Sequence, residues 1–337
     1  MKVIIKEENE TPSEVVFPFL ETLELDDLPN LKGFFLGMNE FLLPSLVNVM
    51  INDCDEWVMF TSGQLETPKI KYLHTSFGKH SIEHGFNFQT TFPTSLDPTI
   101  SKGTPSSFHN LIEINIQKRD VGTSIIPSHV LLQLEKLQQI TIERCKGVKE
   151  VFEVVAVEGS GFNASQTVVQ IPNLTQVELD CLNDLKYLWK SNQWMVLEFP
   201  NLTTVDIQFC DRLEHVFTCS MAGSLVQLQH LSISNCYNIK MILKEEEECD
   251  AKVNEIVLPR LNYLHLDGLS SLKGFCLGKM AFSLPALETL NISYCPAITV
   301  FTKGHVSTPE LKLINTRIGK CDVRTDLNSF IETKQEE

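Results

Sequence analysis

One alternation of apolar and polar positions recurs along this chain. It reads L-x-x-L-x-L-x-x-C, where x is usually polar, and it is called the frame below. Nine copies begin at Leu20, Leu46, Leu111, Leu137, Leu174, Leu202, Leu228, Leu261 and Leu287. Five copies end in Cys and three in Leu, and the weak copy at Leu111 ends in Arg119. A frame written this often fixes the architecture before any single residue is considered.

The centre of each frame, x-L-x-L-x, has the period of two that is typical of a strand with one buried face. A strand this short cannot bury that face alone, but it can when it stacks on the next copy in a parallel sheet. The pattern is the signature of leucine-rich repeats. We therefore predict an α/β-type solenoid, an irregular leucine-rich-repeat horseshoe. Its parallel sheet lines the concave face, and loops and short helices form most of the convex side.

The segments that follow each frame return the chain to the next one, and most end in a large apolar residue. Examples are Phe152, Phe217 and Leu243, which we expect to pack against the convex side of the core. A longer duplication is superimposed on the frames. Residues 17–80 align without a gap with residues 258–321, and 27 of the 64 positions are identical.

These repeats predict one solenoid over residues 1–337. We interpret residues 81–107 as an irregular insertion, because the ladder of frames is interrupted there. The chain begins within a repeat and stops soon after another, and a terminal repeat without a polar cap exposes its apolar side. We therefore expect a solenoid truncated at both ends.

The composition of the chain indicates which partners and which cellular compartment suit it. The net charge of −15 does not suit a nucleic-acid surface, which needs clustered Lys and Arg. No apolar run approaches the roughly 18 residues that span a bilayer. Five of the ten cysteines stand at the end of a frame, one per repeat, which favours buried thiols in a reducing, cytoplasmic compartment. We expect no contact with nucleic acid or with a membrane.

Motifs that carry chemistry are absent from the sequence. The Gly-Lys pairs at Gly78, Gly278 and Gly319 lack the other residues of a phosphate-binding loop. There is no Cys-x-x-Cys pair and no His/Cys cluster with zinc spacing. We therefore expect no catalytic residues, no cofactor and no metal.

The polar x positions of the sheet are the candidate binding surface. Neither the central row of x positions nor the row next to it contains Lys or Arg, and aromatic residues stand near several strand ends. Aromatic side chains are enriched at binding hot spots, so a protein partner with a basic surface is expected. The predicted partner-binding residues are Glu24, Asp26, Glu143, Glu178, Asp180, Asp206, Gln208, Phe209, His230, Ser232, Tyr263, His265, Asp267, Asn291 and Tyr294.

The units of this chain resemble those of a known family. The segment from Phe199 to Phe217, the Leu-Lys-Gly-Phe segments that end at Phe34 and Phe275, and the Lys-Glu-Glu-Glu loop that starts at Lys244 carry the likeness. They are similar to the C-terminal leucine-rich-repeat region of plant coiled-coil, nucleotide-binding, leucine-rich-repeat (NBS-LRR) disease-resistance proteins. The sequence has no nucleotide-binding or signalling domain of that family.

The resemblance implies a non-catalytic recognition module of an intracellular immune receptor. Such a module senses a pathogen effector or a guarded host protein, and it helps to hold the receptor's nucleotide-binding domain inactive. Two alternatives stay open. One is the substrate-recognition part of a ubiquitin ligase, which would need an F-box. The other is an extracellular receptor ectodomain, which the four Asn-x-Ser/Thr sequons and ten cysteines would suit.

Overall fold

The computed structural model describes residues 2–5, 14–54, 56–82, 107–153, 167–189, 195–246, 255–317, 319–322 and 327–333. The chain divides into two compact units, residues 1–116 and residues 117–337. Each unit is a stack of turns whose strands pair in parallel, and helix is scarce in the described ranges. The insertion predicted at residues 81–107 lies almost entirely outside the described residues.

The first unit contains a main sheet and a ribbon of shorter strands. Its strands are β1 (Glu14–Val16), β2 (Thr22–Asp26), β3 (Glu40–Leu42), β4 (Asn48–Asn52), β5 (Leu65–Glu66), β6 (Tyr72–Thr75), β7 (Gly78–Ser81) and β8 (Leu111–Gln117), with a 3-10 turn at Ser107–Asn110. In the main sheet β2, β4 and β6 pair in parallel, and β6, β7 and β8 continue it in antiparallel pairs. The strands β1, β3 and β5 form the ribbon.

The second unit repeats this plan over more turns. Its strands are β9 (Ser124–Ile126), β10 (Gln139–Glu143), β11 (Glu150–Phe152), β12 (Thr167–Gln170), β13 (Gln176–Asp180), β14 (Tyr187–Trp189), β15 (Met195–Glu198), β16 (Thr204–Gln208), β17 (Phe217–Thr218), β18 (His230–Ser234), β19 (Met241–Lys244), β20 (Glu255–Val257), β21 (Tyr263–Asp267), β22 (Gly274–Cys276), β23 (Ala281–Ser283), β24 (Thr289–Ser293), β25 (Val306–Ser307), β26 (Leu313–Thr316) and β27 (Gly319–Asp322). Its helices are a 3-10 helix at Ser128–Gln133, α1 (Cys219–Ala222) and α2 (Leu327–Thr333).

The main sheet of the second unit follows the frames in order. Its strand order is β10-β13-β16-β18-β21-β24-β26, all parallel, and β27 closes it as an antiparallel partner of β26. In most frame copies the strand covers the third to the seventh position. The apolar fourth and sixth positions point inward: Val205, Ile207 and Leu264 are fully buried. The predicted solenoid with a continuous apolar interior is confirmed within this unit.

The eighth position of every frame adopts a left-handed backbone. Its φ lies near +50° in eight non-glycine residues, and Gly268 takes the ninth place with φ +64°. These eight are Asp27, Asp53, Lys118, Arg144, Cys181, Phe209, Asn235 and Tyr294. A non-glycine residue rarely adopts this conformation without support from its surroundings. In several copies the N–H of this residue still donates to the next strand, for example from Phe209 to the Ser234 oxygen at 3.1 Å.

The ninth position turns inward, where a small and weakly polar side chain fits. The Sγ of Cys145, Cys210 and Cys295 donates to a backbone carbonyl two residues earlier. Burial raises the pKa of the Cys145 thiol, and it raises the pKa of Cys295 to about 11. These thiols stay protonated at physiological pH and are poor nucleophiles, which agrees with a packing role for the cysteines of the frame.

Loops make up most of the return segments, as predicted. In place of most of the expected short helices, the described return segments contain short parallel strands. They form the ribbons β9-β11-β14, β17-β19-β22, β12-β15 and β20-β23-β25. Within a ribbon, each return segment pairs its backbone with its equivalent in the next turn, so a ladder of strands replaces a helix. The predicted anchors Phe152, Phe217 and Leu243 are buried, as expected.

Candidate protein-recognition surface

The solvent-facing side of the main sheet in the second unit is called the strand face here. It consists of the third, fifth and seventh positions of each frame. The parallel register places equal positions of neighbouring frames side by side, so the fifth positions form one row and the seventh positions another. Thirteen of the fifteen predicted contact residues lie in this unit, on these rows or at the ends of their strands. The other two, Glu24 and Asp26, are exposed on β2 of the first unit.

Acidic residues concentrate on β10, β13 and β16. The register pairs Glu143 with Asp180 and Glu178 with Asp206. Side chains at paired positions of neighbouring strands are close enough to interact, and like charges there repel each other. We call Glu143, Glu178, Asp180 and Asp206 the acidic segment. On β10, β13 and β16 neither of its two rows contains Lys or Arg.

Glutamine side chains orient two of these carboxylates. Gln176 donates through Nε2 to Glu178 Oε1 at 2.6 Å, and Gln208 donates to Asp206 Oδ1 at 3.1 Å. Each glutamine lies on the same strand as its carboxylate, two residues away, and so on the same face. All four residues of the acidic segment are half-buried. The acidic segment is therefore a partly ordered array of hydrogen-bond acceptors.

An aromatic segment follows on β18, β21 and β24. The rings of His230 and Tyr263 stack with centroids 4.3 Å apart and planes 3° apart, and His265 lies 6.3 Å from Tyr263. Asn291 donates through Nδ2 to the Tyr263 hydroxyl at 3.1 Å. We call His230, Tyr263, His265 and Asn291 the aromatic segment. It presents flat rings that are already held in place.

One nitrogen of the aromatic segment lacks a hydrogen bond. His265 Nδ1 is buried and has no partner among the described residues. A buried polar atom without a partner costs free energy, and a ligand group that reaches it would recover that cost. Ser232, another predicted contact residue, is only 7% exposed because it lies in its row between the longer side chains of Asp206 and His265. It is therefore less accessible than its neighbours.

Two predicted aromatic residues stand at the left-handed turns that end their strands. Phe209 and Tyr294 are 43% and 60% exposed. The Arg317 guanidinium lies 5.2 Å from the centre of the Tyr294 ring, within the range of a cation–π contact. Tyr294, Tyr237, Asp267 and Arg317 line a cavity of about 1320 Å³ that also contacts α2.

Sequence reasoning missed several residues of this surface. Gln176 stands at the third frame position. From the sequence we considered the rows of fifth and seventh positions, but the third position faces solvent by the same alternation of inward and outward side chains. Asn315 extends the central row on β26, where its Nδ2 donates to Asn291 Oδ1 at 2.6 Å. Asn315 and Arg317 are the fifth and seventh positions of a copy of the frame at Leu311 that is too degenerate to detect by its leucines alone.

The surface supplies contact groups and no recognisable reaction centre. Among the described residues, no group of three His, Cys, Asp or Glu side chains is arranged to hold a metal ion. Within the same ranges, no helix combines the length and the apolar character that crossing a membrane requires. Acceptors, stacked rings and an orphaned ring nitrogen on a rigid sheet are features of a binding surface.

The comparison with protein families agrees with this geometry. Residues 97–237 match the family described as plant disease resistance protein RPS2-like, leucine-rich repeats. This segment includes the acidic segment and the first strand of the aromatic segment. No solved structure gave a significant match to the chain. Repeats of this class mediate protein–protein interaction and are typically non-catalytic. The chain therefore carries a protein-recognition module built from leucine-rich repeats, and over residues 97–237 these are similar to the repeats of plant disease resistance proteins.

Proposed function

We propose that this chain is the ligand-sensing part of an intracellular plant immune receptor of the NBS-LRR type. It recognises a pathogen effector or a guarded host protein, and in the full receptor it also contributes to autoinhibition. The observation that carries the proposal is the position of the acidic segment beside the aromatic segment on one rigid sheet. The predicted contact residues Gln208, Phe209, Asp267 and Tyr294 border these two segments.

Charge and shape on the strand face suit a protein with a basic patch. Opposite charge steers the encounter and rejects partners with an acidic surface, while buried aromatic contacts supply most of the affinity. The stacked pair His230–Tyr263 has little conformational freedom left to lose on binding. A suitable partner would place a basic side chain over the acidic segment. It would place an apolar or amide group over the aromatic segment at the same time.

Autoinhibition follows from the same surface if two partners compete for it. An array that binds the resting state of a nucleotide-binding domain better than its active state stabilises the resting state by that difference. A ligand that occupies the strand face removes the preference, and the coupling between the two binding events is reciprocal. The nucleotide-binding domain is expected to present basic residues to this surface, as the ligand does.

Contacts of the sequon residues support a cytoplasmic location for the proposed receptor. The side-chain amides of Asn173, Asn201 and Asn291 donate to the Glu135 oxygen, the Pro172 oxygen and the Tyr263 hydroxyl. An N-linked glycan would be attached at the same nitrogen and would disturb these contacts. Their amides thus stabilise the repeats, which weighs against the extracellular ectodomain. The fourth sequon, at Asn163, lies outside the described residues.

Charge reversal on the strand face tests the proposal. The purified chain captures proteins from a plant leaf extract, and the dissociation constant of each captured protein is measured by calorimetry. We expect Asp180→Lys combined with Asp206→Lys to weaken the specific partner at least about tenfold, the effect of losing roughly 1.4 kcal/mol of binding free energy. Tyr263→Ala should weaken it as well, because the stacked aromatic pair is lost.

The matched control reverses two charges away from the strand face, with Glu135→Lys and Glu310→Lys. Both side chains are exposed in loops. An equal loss of affinity in the control would mean that the net charge of the chain matters and the strand face does not. Unchanged affinity in the Asp180/Asp206 variant would contradict the proposed site.

A further inference from the structure

A second surface of unlike character lies in the return segments of the second unit. A cleft of about 580 Å³ opens between β14 and β19. It lies at a break in the ribbon: β14 pairs with β11, whereas β19 pairs with β17 and β22. The residues that line the cleft are Lys186, Arg212, Glu214, His215, Asn238, Lys240, Met241 and Lys244.

The backbone ladder brings the charges of the cleft together. Lys186, Glu214 and Lys240 hold the same place in three successive turns. The Glu214 N–H donates to the Lys186 oxygen at 3.1 Å, and the Lys240 N–H donates to the Glu214 oxygen at 3.4 Å. Residues that are far apart in sequence therefore line one opening only because the turns stack.

Positive charge exceeds negative charge in the cleft. Arg212 has an acidic partner in Asp184, at 3.2 Å, and the Glu214 carboxylate accepts a hydrogen bond from the Tyr187 hydroxyl at 3.2 Å. Within the described ranges, Lys186, Lys240 and Lys244 form no ion pair. In a chain with a net charge of −15, a cleft lined by three lysines, one arginine and a single glutamate is unusual. Mutual repulsion of these ammonium groups would be relieved by an anion.

A buried histidine forms part of the wall. His215 is only 5% exposed, and its ring lies 5.6 Å from that of Tyr187. Neither ring nitrogen hydrogen-bonds to another described residue, although the side chain lines the cleft. Burial and, to a lesser extent, the Lys244 ammonium lower the pKa of His215 to about 4, although the Glu214 carboxylate opposes the shift. At neutral pH the ring is uncharged and keeps one N–H for a ligand.

These groups match a multiply charged oxyanion. A guanidinium fork binds two oxygens at once, ammonium groups add point charges, and a neutral N–H supplies a directed hydrogen bond. A single carboxylate would need only one of these cations. The cleft is also larger than one phosphate group, and its volume is within the range of small-molecule sites. We propose that this cleft binds a phosphorylated ligand, with its phosphate groups held by Lys186, Arg212, Lys240 and Lys244 and by the His215 ring.

Pyrophosphate is the probe for phosphate binding, which a soluble phosphorylated ligand and a lipid headgroup would share. Its titration into the full chain is followed by NMR, which detects the His215 imidazole and the backbone amides of residues 212–215 and 240–244. We expect saturable shifts at these positions and an upward move of the His215 pKa. Sodium chloride at equal ionic strength should give smaller shifts without saturation. If pyrophosphate acts no differently from sodium chloride, the proposal is wrong.

Substitutions locate the site. Arg212→Gln combined with Lys240→Gln should raise the dissociation constant for pyrophosphate roughly tenfold or more, since charge-assisted hydrogen bonds are among the strongest polar contacts. The matched control, Lys303→Gln with Lys312→Gln, removes the same charge from exposed lysines outside the cleft. All four side chains are exposed, so the fold should persist, and thermal unfolding checks this. An equal loss in the control would overturn the proposal.

Vesicles separate a free ligand from a lipid headgroup. Cosedimentation uses phosphatidylcholine vesicles with and without a phosphorylated phosphoinositide, whose anionic headgroup attracts Lys and Arg side chains at the membrane surface. Binding that requires both this lipid and Arg212 and Lys240 identifies a headgroup. Pyrophosphate binding without vesicle binding identifies a soluble phosphorylated ligand. The cleft shares no residue with the strand face, so this result is independent of the proposed recognition function.

Discussion

The duplicated segments 17–80 and 258–321 show what the repeat fixes and what it leaves open. Their cores share one aromatic cluster. Phe34 stacks on Phe60 with centroids 4.5 Å apart, and Phe275 stacks on Phe301 at 4.8 Å. Both segments end in an antiparallel hairpin, β6–β7 in the first and β26–β27 in the second. Identical residues at these positions thus give the same stacked pair in each unit.

Solvent-facing residues of the two segments have diverged. Glu24 and Asp26 are exposed on β2, whereas the equivalent His265 and Asp267 on β21 are partly covered. Leu23 is half-buried, while its counterpart Leu264 is completely buried. Among the described strands, β2 is at the edge of its sheet, but β21 lies between β18 and β24. Burial at an equivalent frame position therefore depends on the neighbouring turns, and the recognition surface is free to vary while the core is retained.

Truncation of the shared aromatic core should have the largest effect. Phe275→Ala removes a fully buried ring that also makes an edge contact with Phe282 at 5.8 Å. We expect the free energy of unfolding to fall by about 3–5 kcal/mol, and Phe34→Ala should cost nearly as much. Chemical denaturation measures both. Phe19→Ala, at a ring that is 88% exposed, is the control and should change little. If Phe275→Ala and Phe34→Ala lowered the free energy of unfolding by very different amounts, the two cores would not be equivalent.

Substitution of two equivalent glycines, where another part of the backbone approaches closely, should have the second-largest effect on stability. A methyl group at Gly63 would overlap the Asn39 carbonyl oxygen, and one at Gly304 would overlap the Met280 carbonyl oxygen. We expect each Gly→Ala change to cost about 1–3 kcal/mol, the usual price of overpacking. Gly223→Ala is the control, because nothing lies within 4 Å of the added atom. Thermal unfolding that leaves Gly63→Ala and Gly304→Ala as stable as Gly223→Ala would contradict this reasoning.

A shared buried threonine should have a smaller effect. Thr302 Oγ1 donates to the carbonyls of Gly278 or Met280 and accepts from the Gly304 N–H at 3.3 Å. Thr61 makes the same contacts with Gly37, Asn39 and Gly63. Replacement by Val keeps the shape and loses the hydroxyl, so we expect each change to cost about 1–2 kcal/mol in chemical denaturation. Serine at the same positions should recover part of the loss, and no recovery would point to packing alone.

Exchange of the divergent surface residues should matter least for stability. Glu24→His places a ring on an exposed edge and should alter the free energy of unfolding by less than about 0.5 kcal/mol. His265→Glu removes a ring that lies near Tyr263, and we expect a cost of about 1 kcal/mol. A large effect of Glu24→His on unfolding would mean that the first strand is more constrained than its exposure suggests.

The strands were predictable because their signal is local. Because successive side chains of a strand point to opposite faces, the local pattern alone places Val205 and Ile207 on the inner face. The same rule predicts the solvent-facing row that contains Glu178 and Asp206. The ribbons on the other side were not predictable in this way. Their strands have two to four residues, and each is stabilised by hydrogen bonds to the next turn. Asn315 and Arg317 were missed because their copy of the frame keeps Leu311 but has Ile314 and Thr316 at its fourth and sixth positions.

The frame by itself determined the solenoid, its buried rows and the polar face, because burial of apolar side chains follows a period that any single repeat reveals. Only the tertiary structure decided which unlike residues meet. Stacking placed His230 against Tyr263 and left His265 Nδ1 without a hydrogen bond to any described residue. It also gathered Lys186, Arg212 and Lys240 around His215. These residues belong to different turns, and their proximity arises from the register between turns, a long-range property that no single copy of the frame contains.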